Sequence, residues 1–233
     1  MEGRMQLDGI RALIFDFDGL ILETEGPIFQ SWQELYQAHN RQLSWETWSK
    51  IIGTNEIEVG YDPLVELEKQ TGQALDRPTV AEARRQREWD LVLTQPVLPG
   101  VMDYLHAARR LGLELGVASS SSRQWVIGHL ERLGLRDYFA CVRTGDDVPR
   151  TKPDPAVYLQ VLECLNVSAA EAVALEDSPN GALAAKRAGI FCVVVPNEMT
   201  RAIPNQHADL RLESLADLPL ERLLSRIEAL RRG

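Results

Sequence analysis

A small set of polar residues in this sequence is of the right types to do chemistry together: Asp16 and Asp18, Ser119, Lys152, and Glu176 with Asp177. Four carboxylates brought close together repel one another and raise each other's pKa unless a cation neutralises them, so a divalent metal is implied. The set is all oxygen, with no paired Cys or His, and that favours Mg²⁺, a hard cation that keeps several waters and leaves room for a phosphate oxygen. Lys152 adds a compact positive charge able to face phosphate oxygens, and Ser119 a hydroxyl donor from a third side. These parts fit phosphoryl transfer.

The chain must carry these residues to one place. Ala12 to Phe15 is a short apolar run that stops at Asp16, Asp18 and Gly19, the pattern of a buried strand entering a loop. The pattern recurs where Leu113 to Ala118 meets Ser119 to Ser122, where Ala172 to Leu175 meets Glu176 and Asp177, and where Phe191 to Val195 meets Pro196 and Asn197. Helical stretches lie between: Val101 to Leu111, Val126 to Leu133, Ala156 to Leu165, and Ala182 to Ala188 closed by Gly189. Asp154-Pro155 and Ser178-Pro179 each put a capping side chain before a proline suited to a first helical turn. Near-continuous apolar strands alternating with helices predict an α/β fold with a doubly wound parallel sheet. In such a sheet the ligand crevice lies outside the carboxyl ends of the strands, where the acids and Ser119 sit, with Lys152 reaching the same edge from the loop before Ala156.

Residues 26–95 break the alternation. Ile28, Phe29, Trp32, Leu35 and Tyr36 recur at helical spacing, Trp45, Trp48, Ile51 and Ile52 continue the pattern, and Thr79-Val80-Ala81-Glu82 fits a capping box opening another helix. We read an all-helical insertion after the first strand, its aromatic stripe serving as its own core, with residues 1–25 and 96–233 forming the sheet domain.

Composition narrows the partners. A chain of 233 residues with 45% hydrophobic and 25% charged residues can bury a core without structural metal or disulfides. Its net charge of −9 disfavours nucleic acid, and the Arg84, Arg85 and Arg87 run shares its stretch with Glu82, Glu88 and Asp90, as a solvated helix face would. No apolar run approaches the about 20 residues of a spanning helix, and residues 1–9 lack an apolar signal core, so no membrane contact and a cytoplasmic location are expected. Cys141, Cys164 and Cys192 show no C-x-x-C spacing, so a disulfide framework and a zinc knuckle are not expected and all three read as packed thiols. His39, His106, His129 and His207 are scattered and take no role.

Each candidate also has an ordinary structural reading: Asp16 and Asp18 as a strand-end Asx turn, Lys152 as a solvated loop lysine, Glu176-Asp177 as helix N-terminal charge. Taken in order, however, Asp16-Phe17-Asp18-Gly19, Ser119, Lys152-Pro153 and Glu176-Asp177-Ser178 resemble the haloacid-dehalogenase superfamily of phosphatases over nearly the whole chain. The helical insertion after the first motif is similar to the β-phosphoglucomutase-like branch with its helical cap. Within that branch, Phe15-Asp-Phe-Asp-Gly-Leu-Ile-Leu, Val117-Ala-Ser-Ser-Ser and Leu175-Glu-Asp-Ser-Pro-Asn-Gly resemble a group of little-characterised bacterial phosphatases.

The resemblance implies a Rossmann-like core and a Mg²⁺-dependent phosphomonoester hydrolase acting on a small phosphorylated metabolite, a sugar or polyol phosphate among the options. It makes Asp16 the nucleophile that forms an aspartyl-phosphate, and Asp18 the acid and base that also lends the metal its backbone carbonyl. It makes Glu176 and Asp177 further metal ligands, and Ser119, Lys152 and the backbone N–H of Ser120 the phosphate contacts. One departure is Glu23, where the family has Asp seven residues after the nucleophile; the extra methylene is expected to alter loop packing more than chemistry.

Rival readings remain. A sugar-phosphate mutase of the same branch needs a distal-phosphate site, yet Gly53-Thr54-Asn55-Glu56 is without a base and no Lys or Arg occurs between Lys50 and Lys69. Arg84, Arg85 or Arg87 would then have to reach in. A dehalogenase has no need of Asp18. A phospho-accepting receiver domain would place its acceptor after a central strand instead of the first, and a catalytically silent binding protein would have lost Asp18 or Lys152.

Overall fold

The apolar run Ala12–Phe15 forms β1, buried along its whole length. In the computed structural model, which describes residues 9–52 and 60–232, four helices follow it: α1 (Glu25–Ala38), α2 (Trp45–Trp48), α3 (Pro63–Thr71) and α4 (Arg77–Leu93). Then come α5 (Val101–Leu111), β2 (Glu114–Ala118), α6 (Arg123–Arg132), β3 (Cys141–Arg143), α7 (Ala156–Leu165) and β4 (Ala172–Glu176). The chain closes with α8 (Pro179–Arg187), β5 (Phe191–Val194), β6 (Leu210–Arg211) and α9 (Leu220–Arg232).

The six strands form one parallel sheet in the order β3-β2-β1-β4-β5-β6. The chain builds outward from β1 on one side, then returns to build outward on the other, so the order reverses between β1 and β4. Phe15 pairs in register with both Leu175 and Val117, so the residues just beyond it, Asp16, Glu176 and Ser119, emerge side by side at that reversal. Alternate residues of β1 serve opposite faces. Leu13 and Phe15 join the core under α5, α6 and α9, while Ala12 and Ile14 join the core under α7 and α8. Both faces are covered, which is why the strands read as unbroken apolar runs.

Helices α1 to α4 enclose a separate cluster around Trp32, Tyr36, Trp48, Ile51, Ile52, Leu64 and Leu67, as the aromatic spacing predicts. Helix α3 has a legible start, since Asp62 accepts from the backbone N–H groups of Leu64 and Val65 and Pro63 fills the first turn. The Thr79 capping box does not form. Helix α4 begins three residues earlier, at Arg77 after Asp76, and the Thr79 hydroxyl donates to Asp76 instead. The segment Gly53-Thr54-Asn55-Glu56 lies outside the described residues.

Other differences have simple causes. Strands β3 and β6 were not expected, because runs of three and two residues are too short to show a period. Helix α8 starts at the expected Ser178-Pro179 cap, the Ser178 side chain accepting from Gly181 N, whereas α6 begins before its expected apolar start, at the cap Ser122, which accepts from Trp125 N. The expectation of three separate thiols is corrected: Cys141 on β3 and Cys164 on α7 form a disulfide, with Cα atoms 6.2 Å apart. With β3 unrecognised, nothing in the spacing showed that α7 packs against it. Cys192 is a buried thiol. No helix among the described residues is long and apolar enough to cross a membrane.

Helix α9 is tied to α5 by Tyr104, 1% exposed, whose hydroxyl donates to the Leu218 carbonyl at 2.7 Å. Tyr104→Phe should lower the unfolding free energy by about 1–2 kcal/mol by stripping a donor from that carbonyl. In a chain of this size that is a fall of roughly 2–8 °C in melting temperature. Denaturant unfolding that matches the parent protein would show that the bond does not hold this face together.

Candidate active site

Each end of the reversal delivers an acid. Asp16 follows β1, with its N–H donated to the Leu175 carbonyl at 2.9 Å, and Glu176 is the last residue of β4. Lys152 enters from the loop before α7 and is 2% exposed, so the solvated reading of this lysine is excluded. Its ammonium donates to Asp16 Oδ1 and to Glu176 Oε1, both at 2.6 Å. Tyr158 of α7 donates its hydroxyl to the same Glu176 Oε1 at 2.5 Å, and its ring centroid lies 5.2 Å from the ammonium. Asp177 sits beside them, its Oδ2 accepting from Asn197 Nδ2 at 2.8 Å.

Glycine makes this closeness possible. A Cβ on Gly181 would lie 1.9 Å from Glu176 Oε2, and one on Gly19, at φ +74°, would lie 2.5 Å from Asp177 Oδ2.

The cluster holds more acid than base. Asp16, Glu176 and Asp177 bring ligand oxygens within 4.8 Å of one another around the single Lys152. Burial, reinforced by Glu176 and opposed by Lys152, pushes the Asp16 carboxyl up to about 8. Burial and the charge of Asp16 hold Asp177 well above the usual carboxylate range. Burial works to lower the pKa of Lys152, but Asp16 and Glu176 more than reverse it, so the lysine stays protonated.

Two oxygens of the cluster, Glu176 Oε2 and Asp177 Oδ1, are buried without a hydrogen-bond partner. Buried carboxylate oxygens are costly when unsatisfied, and here they lie in a compact all-oxygen group of surplus negative charge. These residues therefore fit a hard divalent cation.

Asp18 faces away from this group, and its carboxylate is not part of the three-acid cluster. Oδ1 accepts from Thr24 Oγ1 and from the indole N–H of Trp125, each at 2.8 Å. Oδ2 accepts from Ser121 Oγ at 2.6 Å and from Ser119 Oγ at 3.3 Å. Ser119 Oγ in turn accepts from the Ser121 N–H at 3.0 Å. Ser120 is half-buried, and its carbonyl oxygen lies 2.4 Å from where a Cβ on Gly145 would be. Glu23 caps α1, its Oε1 accepting from Gly26 N at 2.9 Å, and burial raises its pKa.

The structure thus gathers Asp16, Lys152, Glu176 and Asp177 into one buried cluster and sets Asp18 with Ser119 beside it. Thr24, Ser121, Trp125, Tyr158 and Asn197 also hold these groups and were not singled out from sequence. Ser121 and Asn197 stand in the polar loops at strand ends, which is a usable signal; Trp125 and Tyr158 carry helical spacing that reads as core.

A cavity of about 570 Å³ opens next to Asp18, with Ser121, Ser122 and Trp125 on one side and Arg84, Glu88 and Trp89 of α4 on the other. The arginine run is therefore not simply a solvated face. Arg85 and Arg87 are about half exposed and paired with Glu82 and Glu34, but the Arg84 and Glu88 side chains are each only 13% exposed and pair with one another.

The chain is similar to known proteins over nearly its whole length. "Putative phosphatase YhcW" of Bacillus subtilis is 44% identical over 220 residues, 94% of this chain and 99% of that protein. Hexitol phosphatase B of Escherichia coli K12 is 33% identical, over 92% of this chain and 97% of its own. The crystal structure of CbbY from Rhodobacter sphaeroides in complex with phosphate is 31% identical with a TM-score of 0.73, covering 90% of this chain and 96% of that one. Since residues 13–195, from β1 to the end of β5, also match its sequence model, the chain belongs to the haloacid dehalogenase-like hydrolase family.

Proposed function

We propose that this hydrolase is a Mg²⁺-dependent phosphomonoesterase acting on small phosphorylated metabolites of the sugar or polyol class. The observation that carries the reading is the buried cluster of Asp16, Glu176 and Asp177 around Lys152, with two carboxylate oxygens left without partners. The names of the relatives support the substrate class, since one is a hexitol phosphatase and another was crystallised with phosphate. In this reading residues 1–25 and 96–233 are the catalytic domain, and residues 26–95 cap it.

Asp16 attacks the phosphorus, forming an aspartyl-phosphate as the bond to the leaving oxygen breaks. Asp18 gives that oxygen a proton, then takes one from the water that attacks phosphorus and releases Asp16 with inorganic phosphate. Lys152 holds positive charge against the phosphoryl oxygens, and Ser119 with the Ser120 N–H supplies donors as charge shifts among them. Asp16, Glu176 and Asp177, with the Asp18 carbonyl, would hold Mg²⁺, which would supply positive charge that favours the ionised form of Asp16. Asp18 must exchange some of its four present donors for substrate, and two of them, Ser121 and Trp125, line the cavity.

The pairing of the arginines favours hydrolysis over the mutase reading. Arg84, Arg85 and Arg87 each contact an acid, so the described part of the cap offers no surplus of positive charge from this run for a distal phosphate.

Phosphate release from a panel of small monoesters should require Mg²⁺ and stop on adding EDTA. Asp16→Asn should abolish it while the folded state is retained; full turnover by this variant, or in metal-free buffer, would contradict the reading. Asp18→Ala should cost about 10²-fold or more on alkyl phosphates, whose leaving alkoxide needs a proton. The loss should be smaller on aryl phosphates with acidic leaving groups, and equal turnover of wild type and variant on an alkyl ester would remove Asp18 from the acid role.

A further inference from the structure

The cavity beside Asp18 has a wall whose charges are matched in pairs. Arg84 and Glu88 lie one helical turn apart on α4 and contact each other. Arg84 is fixed from two further directions: its Nη1 donates to Ser31 Oγ at 3.1 Å, and its guanidinium lies 4.4 Å from the centroid of the Trp32 ring. Neither partner is free to swing into solvent, in contrast to the Arg85–Glu82 pair, which also lines the cavity but is exposed and screened by water.

We propose that Glu88 is a specificity-determining residue: by holding Arg84 in a neutral ion pair, it fits the cavity to an uncharged polyhydroxy leaving group and rejects one that ends in a second phosphate. The proposal rests on the phosphatase reading of the Asp16 site and says what the cavity beside it selects.

The physical argument turns on what each ligand would meet. A second phosphate seated against the Arg84–Glu88 part of the wall must either displace the Glu88 carboxylate from Arg84 or lie beside that carboxylate, and like charges on a poorly hydrated wall repel strongly; the exposed Arg85, which also lines the cavity, is screened by water and pairs with Glu82. A hydroxyl both donates and accepts. Arg84 and Glu88 on α4, with Ser121 and Ser122 opposite, offer donors and acceptors together. Trp89 and Trp125 supply apolar surface for the carbon chain. Ser121 links the two functions, since it lines the cavity and donates to Asp18.

The test compares a hexitol monophosphate with the hexitol bisphosphate that carries a second phosphate at its far end, in slightly alkaline buffer so that carboxylates are ionised. Wild type should favour the monophosphate in kcat/KM by roughly tenfold or more, the scale of one charge-assisted hydrogen bond. Glu88→Gln frees Arg84 and should shift the ratio toward the bisphosphate by a similar factor, chiefly through KM. The double change Glu88→Gln with Arg84→Gln should cancel that shift. Glu163→Gln, an exposed acid on α7, alters net charge equally and should leave the ratio unchanged.

Wild type that turns over both esters equally well, or Glu88→Gln with an unaltered ratio, would overturn the inference while leaving the phosphatase reading intact. Wild type inert toward hexitol and aryl monoesters alike would overturn both. Because the first comparison uses wild type alone, a poorly folding variant does not remove the test.

Discussion

The ammonium of Lys152, fully enclosed and shared between Asp16 and Glu176, is the interaction on which the candidate site depends. Burying charges costs several kcal/mol per ion, and removing one partner from such a group typically costs about 3–5 kcal/mol. The fold meets that demand with a reversal of strand order that sets β1 beside β4, so that Asp16 and Glu176 emerge on adjacent strands. Tyr158 and Asn197 add hydrogen bonds to Glu176 and Asp177, and Gly19 and Gly181 leave room for the acids. One lysine still faces three acids. With all three acids ionised the cluster carries a negative surplus that Lys152 alone does not offset and that a bound cation would.

A second layer connects Asp18 to the helical insertion. The indole of Trp125 donates to Asp18 and packs edge-on against Trp89 of α4, with ring centroids 5.6 Å apart. His129 stacks on Trp89 at 4.4 Å and on Phe17 at 6.4 Å. Burial, aided by Arg132, lowers its pKa to about 4, so the ring is neutral at neutral pH and serves as packing. The residue that would move protons therefore touches a stack shared by the sheet domain and α4. Trp125 thus connects the Asp18 carboxylate to α4 through ring contacts.

Much of this was legible in the sequence for a definite reason. Strands β1, β2, β4 and β5 are buried on both faces, so each is an unbroken apolar run, and each run stops where the chain leaves the core; Asp16, Ser119 and Glu176-Asp177 stand at three of those stops. Strands β3 and β6 are too short to carry such a run. The disulfide escaped with β3, since its geometry exists only once α7 lies on that strand. Lys152 was assigned by its motif, but its burial depends on elements that close over the loop. Trp125 and Tyr158 were hidden for another reason: helical periodicity tells that a side chain faces inward, not which atom its one polar group will meet.

Calorimetric titration of the metal-free protein with Mg²⁺ tests the central claim most directly. One cation should bind per chain, and near neutral pH it should expel protons into the buffer, because Asp16 holds its proton up to about 8 in the metal-free cluster. Apparent affinity should rise with pH toward that value and proton release should fade above it, while Asp177→Asn should weaken binding at every pH. Absence of binding, or binding of unaltered strength in Asp177→Asn, would contradict the account.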